Sequence, residues 1–423
     1  MEAKRQSYIE DLIIRKHNGM IKVITGVRRC GKSYLLFKLF TKHLKKEGVD
    51  SRHIIKVQLD DRKFLKLHNP DACYSYVKDK IQDKKMYYLL LDEVQLMEEF
   101  ESVLNSFLHI DNLDVYVTGS NSKFLSTDII TEFRGRGDEV RIYPLSFSEF
   151  YGIKKGDFHE TWTEYKTYGG FPALLTMKTD KQKRQYLEYL FDNVYLNDVV
   201  ERNRIKNGVV LEDLVKVLAS SVGSLTNPTN IANTYNSIVK PNIGTRLACS
   251  HKTICTYIKY LKEAFLISEA ERYDIKGRKY IGSNKKYYFV DIGLRNSKLG
   301  FRQQEPTHIM ENILYNELKI RGFQVDVGSV ECSERNKQGT STRKQLEIDF
   351  VVNRGNERFY IQSAYKLDTD SKWEQERKSL KVVKDSFKKF IIMDDNIKPW
   401  RDDNGFVIMG LKDFLLDEGS LMF

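Results

Sequence analysis

Proline is scarce in this chain, seven residues in 423, and no stretch is dominated by one residue type. Low-complexity linkers and disordered tails are therefore not expected. Cysteine is also sparse: five residues, at 30, 73, 249, 255 and 332, odd in number and without a C-x-x-C pair. That gives no disulfide framework, and reduced thiols in a cytoplasmic protein are expected. No uncharged apolar run reaches the roughly 18 residues that a membrane span needs. The opening "MEAKRQSYIEDLIIRKHNG" has no apolar core of signal-peptide length, so no membrane partner is expected. No period of about 20–50 residues marks a repeat architecture.

What is present is a 41% apolar content over a chain long enough for two to four domains. Lysine and arginine, 69 together, exceed aspartate and glutamate, 58, to give a formal charge of +11. An excess of that size permits a nucleic-acid partner without demanding one, because solubility alone accounts for it.

The most informative stretch is "VITGVRRCGKSYLLFKL", residues 23–39. An apolar strand pattern ends at Gly26, and helical spacing of Leu35, Leu36, Leu39 and Phe40 follows. Between them, Gly26-Val27-Arg28-Arg29-Cys30-Gly31-Lys32-Ser33 fits G-x-x-x-x-G-K-[ST], a loop whose backbone amides and helix N-terminus cradle phosphates. Lys32 is expected to reach the β- and γ-phosphates and Ser33 to ligate Mg²⁺, with Tyr34 closing the list of residues around ATP. A glycine turn before an ordinary helix is the alternative.

A second apolar run, Met86–Leu91, ends in Asp92-Glu93. An aspartate there can hold Mg²⁺ through water, and the adjacent glutamate can polarise the attacking water. The alternative is that either acid caps the helix in "EEFESVLNSFL". Further strand patterns in "HIIKVQLDD", "LDVYVTGSNS" and "DEVRIYPLSF" complete an alternating β-α order, which predicts an α/β parallel sheet with ligands at its carboxyl edge. An extra strand between the two motifs, with Glu93 beside Asp92, points to ATP hydrolysis by a strand-borne glutamate. Ser120 and Asn121 at the end of one strand are candidates to sense the γ-phosphate or orient water, or else form a simple turn. Arg134 and Arg136, in a glycine-containing loop, are candidate nucleotide-sensing arginines, Arg136 preferred, in cis or from a neighbouring subunit.

The middle of the chain reads as amphipathic helices and then a winged helix-turn-helix. Ser250 is the expected N-cap of a helix with Ile254, Ile258, Leu261 and Phe265 on one face. His251 and Lys252 lead that helix, and a hairpin bearing Arg278, Lys279, Lys285 and Lys286 interleaves bases with tyrosines. That pattern suits duplex DNA, and equally a packing or partner-binding module.

The last third has the outline of a PD-(D/E)XK nuclease: a helix with Glu311 and Glu317, Asp349 beside Glu347 on a strand, then a second strand. Such a site wants a second carboxylate and a lysine on that strand. Gln362 and Ala364 stand there instead, with Lys366 two residues further on. An inactive, structural or nucleic-acid-binding descendant is expected.

GVRRCGKS, LLLDEVQ, VTGSNS, FRGRG, YPLSFSEF and YGGFPALL, in that order, resemble the prokaryotic AAA-type ATPases known simply as ATP-binding proteins. Those carry a winged-helix region and a C-terminal nuclease-like domain of unknown function. The resemblance covers nearly the whole chain. It implies an AAA-type P-loop core at 1–150, a helical lid at 151–215, a winged helix at 216–300 and a small restriction-endonuclease-like α/β domain at 301–423. The function expected is Mg²⁺-dependent ATP hydrolysis, and the alternative is a nucleotide-gated switch that binds DNA, a protein partner or further copies of itself. An active ATP-dependent nuclease is a third reading.

Overall fold

A computed structural model describes residues 3–119, 133, 135–206, 208–243, 249–302, 305–335 and 341–423. The chain divides into two compact units: Met1–Pro144 with Phe171–Ala173, and Leu145–Gly170 with Leu174–Phe423.

The first unit is built on five strands: β1 (Ile21–Thr25), β2 (Ile54–Gln58), β3 (Tyr87–Asp92), β4 (Leu113–Thr118) and β5 (Gly137–Arg141). Their order is β2-β3-β4-β1-β5, every pairing parallel. Strands β1, β3 and β4 are buried along their whole length, which is why their sequences are predominantly apolar. The one charge in β1, Lys22, is fully buried and paired with Asp114 of β4, whose carboxylate also accepts from the Tyr116 hydroxyl at 2.9 Å. Ile21, Val23, Leu89, Leu91, Val115 and Val117 form the core under the helices Pro70–Lys80 and Phe100–Phe107. Each expected strand is present, and β4 lies between the strands that carry the two motifs.

The second unit holds an eight-stranded sheet. Its strands are β6 (Ile267–Asp274), β7 (Lys279–Phe289), β8 (Gln324–Arg335), β9 (Ser341–Arg354), β10 (Glu357–Ala364), β11 (Lys388–Met393), β12 (Trp400–Arg401) and β13 (Val407–Gly410). The order is β12-β13-β11-β10-β9-β8-β6-β7. The β6–β7 hairpin therefore does not close a separate domain at residue 300. Strand β6 pairs in parallel with β8, Arg272 against Val327, and Tyr288 of β7 stacks on Tyr315 of the helix Pro306–Ile320 with ring centroids 4.1 Å apart. Burying one face of the hairpin against that helix draws it into the C-terminal core.

The YGGFPALL motif has a packing explanation in this unit. Asp291, the N-cap of the helix Ile292–Lys298, accepts from the Gly170 amide at 2.7 Å as well as from Gly293 and Leu294. A Cβ on Gly170 would come within 2.1 Å of the Leu145 carbonyl oxygen, so only glycine allows this approach. Among the described residues no helix is long and apolar enough to cross a membrane.

Candidate functional site

The loop after β1 adopts the conformation its glycines permit. Gly26 has φ +136°, and a Cβ there would sit 2.2 Å from the Ile142 carbonyl oxygen, so the loop can only pass strand β5 with glycine. Arg29 (φ +63°) and Gly31 (φ +107°) are also left-handed, and such alternation turns successive amides toward one concavity. The helix that follows begins at Lys32 and runs through a π-helical stretch, Leu35–Phe40, into Thr41–Lys46. The Lys32 ammonium is buried and donates to the Gly26 carbonyl at 2.9 Å and the Val27 carbonyl at 3.3 Å. Gly26, Val27, Arg28, Arg29, Cys30 and Gly31 thus form one continuous loop between β1 and a helix whose first turn is Lys32, Ser33 and Tyr34.

Strand order brings the second motif to this loop. Asp92, the last residue of β3, is buried and accepts a hydrogen bond from the Thr118 hydroxyl, with the Ser33 hydroxyl of the phosphate loop beside it. Burial pushes its carboxyl up from the usual range, against the pull of those two hydroxyls. Glu93 sits at φ +53°, an unfavourable region for a non-glycine residue, and precedes a single 3-10 turn, Val94–Leu96. The α-helix starts only at Phe100, so neither acid caps it. The Glu93 carboxylate is half-buried and accepts from the Gln95 amide.

The arginines divide differently from expectation. Arg136 lies at the amino end of β5, its carbonyl accepting from Ile21 at the start of β1. Five residues of strand, about 16 Å, separate it from the phosphate loop. Arg136 therefore cannot sense its own chain's γ-phosphate, and only the neighbouring-subunit role survives. Asn121, Ser120 and Arg134 lie outside the described residues.

In the second unit, the helix His251–Glu263 starts as expected, with the Ser250 hydroxyl accepting from the Thr253 amide at 3.1 Å and Ile254, Ile258 and Leu261 buried. His251, Lys252, Arg278 and Lys279 are exposed. Lys285 and Lys286 of β7 are not free to meet phosphates. Lys285 is ion-paired to Glu271 at 2.7 Å and Glu269 at 3.2 Å. Lys286 is 2% exposed and points into the nuclease-like cluster. Its ammonium lies 2.9 Å from Glu311, 2.7 Å from Glu347 and 3.8 Å from Asp349. Glu311 also accepts from the Tyr288 hydroxyl at 2.7 Å, and Asp349 from the Ser363 amide at 2.8 Å.

The remaining expected members of that site are elsewhere. Glu317 pairs with Arg321 at 2.9 Å, Gln362 lies beside Glu376, and Lys366 is exposed over the Tyr365 ring. An ammonium thus stands among the carboxylates where a nuclease needs a divalent cation. Among the described residues no three His, Cys, Asp or Glu side chains are placed to hold a metal ion.

Comparison with known proteins agrees with the first unit's geometry. Residues 18–151 match the family model described as an AAA domain, and residues 159–305 match a domain of unknown function (DUF8612). An uncharacterised protein of Haemophilus influenzae is 33% identical over 394 residues, covering 92% of each chain. The chain belongs to this AAA-domain family. A second relative, an uncharacterised protein of Methanocaldococcus jannaschii, is 28% identical over 90% of this chain and 83% of its own. Two solved structures are weakly similar. The Aeropyrum pernix ORC1 protein in complex with DNA has a TM-score of 0.28 and 11% identity, over 71% of this chain and 93% of that one. The replication initiator DnaA bound to AMPPCP and single-stranded DNA has a TM-score of 0.31 and 16% identity, over 62% and 89%. These two likenesses are too weak to bear on function.

Two residues of the AAA domain escape the motifs. Arg141 pairs with Thr25, the last strand residue before the phosphate loop, so it is the β5 arginine at the nucleotide edge. Thr118 ends β4, and its hydroxyl donates to Asp92 while accepting the Glu93 amide at 3.4 Å. One hydroxyl thereby fixes both acids. Valine at 118 keeps the shape and removes the hydroxyl. The loss of about 1–3 kcal/mol for an unmet buried partner corresponds to about 5- to 150-fold in turnover. Thr118→Ser is expected to restore most of it in a steady-state phosphate-release assay, and wild-type turnover in Thr118→Val would exclude this role.

Proposed function

We propose that this AAA protein is a Mg²⁺-dependent ATPase whose C-terminal unit binds a partner and does not cut nucleic acid. The observation that carries the first half is Asp92: a buried carboxylate at the carboxyl end of a parallel strand, beside Ser33 of the phosphate loop and adjacent to Glu93. The donors fit the cation. A hydroxyl beside a carboxylate offers the hard oxygens that Mg²⁺ takes, and a carboxylate whose charge is disfavoured by burial gains from a cation beside it. Mg²⁺ at Ser33 and Asp92 supplies positive charge to the β- and γ-phosphate oxygens.

The residues of the chain do the rest. Loop amides hold the phosphates, and Lys32 exchanges the Gly26 and Val27 carbonyls for phosphate oxygens. Glu93 orients water against the γ-phosphorus and takes its proton, as the new P–O bond forms and the bond to the β,γ-bridging oxygen breaks. Arg141 is the candidate to steady charge in cis, Arg136 in trans from a neighbouring copy. Lys32→Ala is expected to raise the Kd for ATP about 10- to 150-fold, the equivalent of a hydrogen bond to a charged group. Isothermal titration tests it, and unchanged affinity would remove Lys32 from the cradle.

The second half rests on Lys286. With its ammonium held by Glu311 and Glu347, the cluster lacks the open cation position that hydrolysis requires. Exposed His251, Lys252, Arg278 and Lys279 support DNA as the partner. Five free thiols support a cytoplasmic place of action.

A further inference from the structure

Positive charge among the described residues of the second unit is not confined to the helix His251–Glu263. It lines a groove of about 1180 Å³ between strands β8 and β9 on one side and the helix Asp370–Val382 on the other. Lys276, Lys344, Lys378, Lys381 and Lys384 line it, against two carboxylates, Glu347 and Glu374. Both carboxylates have cations of their own: Glu347 meets Lys286 at 2.7 Å, and Glu374 meets Lys381 at 2.9 Å. Lys276 donates to the Glu331 carbonyl at 2.7 Å, a neutral partner that leaves its charge uncompensated. Ser371, Glu374, Gln375, Lys378 and Lys381 recur at helical spacing, so one face of the helix forms a wall of the groove.

The geometry points to this groove as a binding site for the phosphodiester backbone of a nucleic-acid duplex. Lysines along an elongated concavity suit a ligand with repeated phosphates and neutralise it without reading sequence. Among the described residues no aromatic side chain lines the groove, so unpaired bases find no ring there to stack on, and single strands are disfavoured. Glu347 at the edge joins the groove to the Lys286 cluster, so a backbone bound here passes a nuclease-like site already neutralised from within. This inference rests on reading the C-terminal unit as a binding module. It does not depend on ATP hydrolysis.

The test is fluorescence anisotropy with a mixed-sequence DNA duplex of about 30 base pairs, an RNA duplex and a single strand, each titrated over a range of salt concentrations. The wild-type protein is compared with Lys344→Ala/Lys378→Ala/Lys384→Ala and with His251→Ala/Lys252→Ala. Four phosphate contacts, from the groove lysines other than Lys381, predict a log–log salt slope of about −3.6 for a DNA duplex, and the triple variant is expected to lose about 2.7 of it. Its affinity near 0.1 M salt should fall on the order of 100-fold, with an unchanged thermal unfolding midpoint. Similar binding of DNA and RNA duplexes fits a backbone reader. No duplex binding by the wild type, tighter binding of the single strand, or a triple variant with wild-type affinity and slope would overturn the assignment. In the last case, loss of binding in the His251→Ala/Lys252→Ala variant would put the duplex on the helix and leave the DNA reading intact.

Discussion

Glutamine in place of Glu93 is expected to lower ATP turnover by at least about 100-fold while ATP stays bound. The amide keeps the size of the side chain and its reach toward water but cannot accept a proton. Glu93 also occupies a backbone conformation that costs energy, φ +53°, and is held there from three sides. Its amide is tied to Thr118, its carboxylate to Gln95, and its neighbour Asp92 to the Thr118 hydroxyl. Strain kept in place at the end of a central strand fits a carboxylate aimed for chemistry. Single-turnover hydrolysis alongside equilibrium ATP binding separates the two effects. Turnover within a few-fold of wild type would take Glu93 out of the reaction.

Methionine in place of Lys286 is expected to destabilise the second unit by about 3–5 kcal/mol at neutral pH. The side chain keeps its length and loses the charge, leaving buried Glu311 and its neighbours Glu347 and Asp349 without their cation. Burial alone would push Glu311 up, but Lys286, His308 and Tyr288 together hold it below the ordinary carboxylate range. A carboxylate lowered in the folded state stabilises above its unfolded pKa and loses that contribution as pH falls through the folded value. The variant lacks the cation responsible, so its penalty should be full at neutral pH and shrink toward about pH 4 as the cluster protonates. Urea unfolding at several pH values reads this directly. A loss under about 1 kcal/mol, or one independent of pH, would mean the cluster is not the ion network described here.

What was legible in the sequence followed from local rules. Gly26, Gly31, Lys32 and Ser33 lie within eight residues, and Asp92 ends an apolar run whose burial requires it to be a central strand. The same holds for the Ser250 cap and the helix it starts. What was not legible depends on which strands become neighbours. Thr118 matters only because β4 lies beside β3, and Arg141, not Arg136, stands at the loop's end of β5 only because β5 runs parallel to β1. Lys286 is the clearest case. In "NKKYYFVD" it reads as part of a solvated basic hairpin, yet its partners stand at 311, 347 and 349. One signal was available: strand alternation puts Lys286 on the same face as Tyr288, an aromatic that demands burial, and Lys285 on the other.

Phosphate release from ATP by the purified wild-type chain, with Mg²⁺ and with the metal chelated, decides whether this protein is a Mg²⁺-dependent ATPase. Repeated turnover that requires Mg²⁺ and disappears with chelation is expected. No release from the wild-type chain in Mg²⁺, or release that persists in chelator, would contradict it.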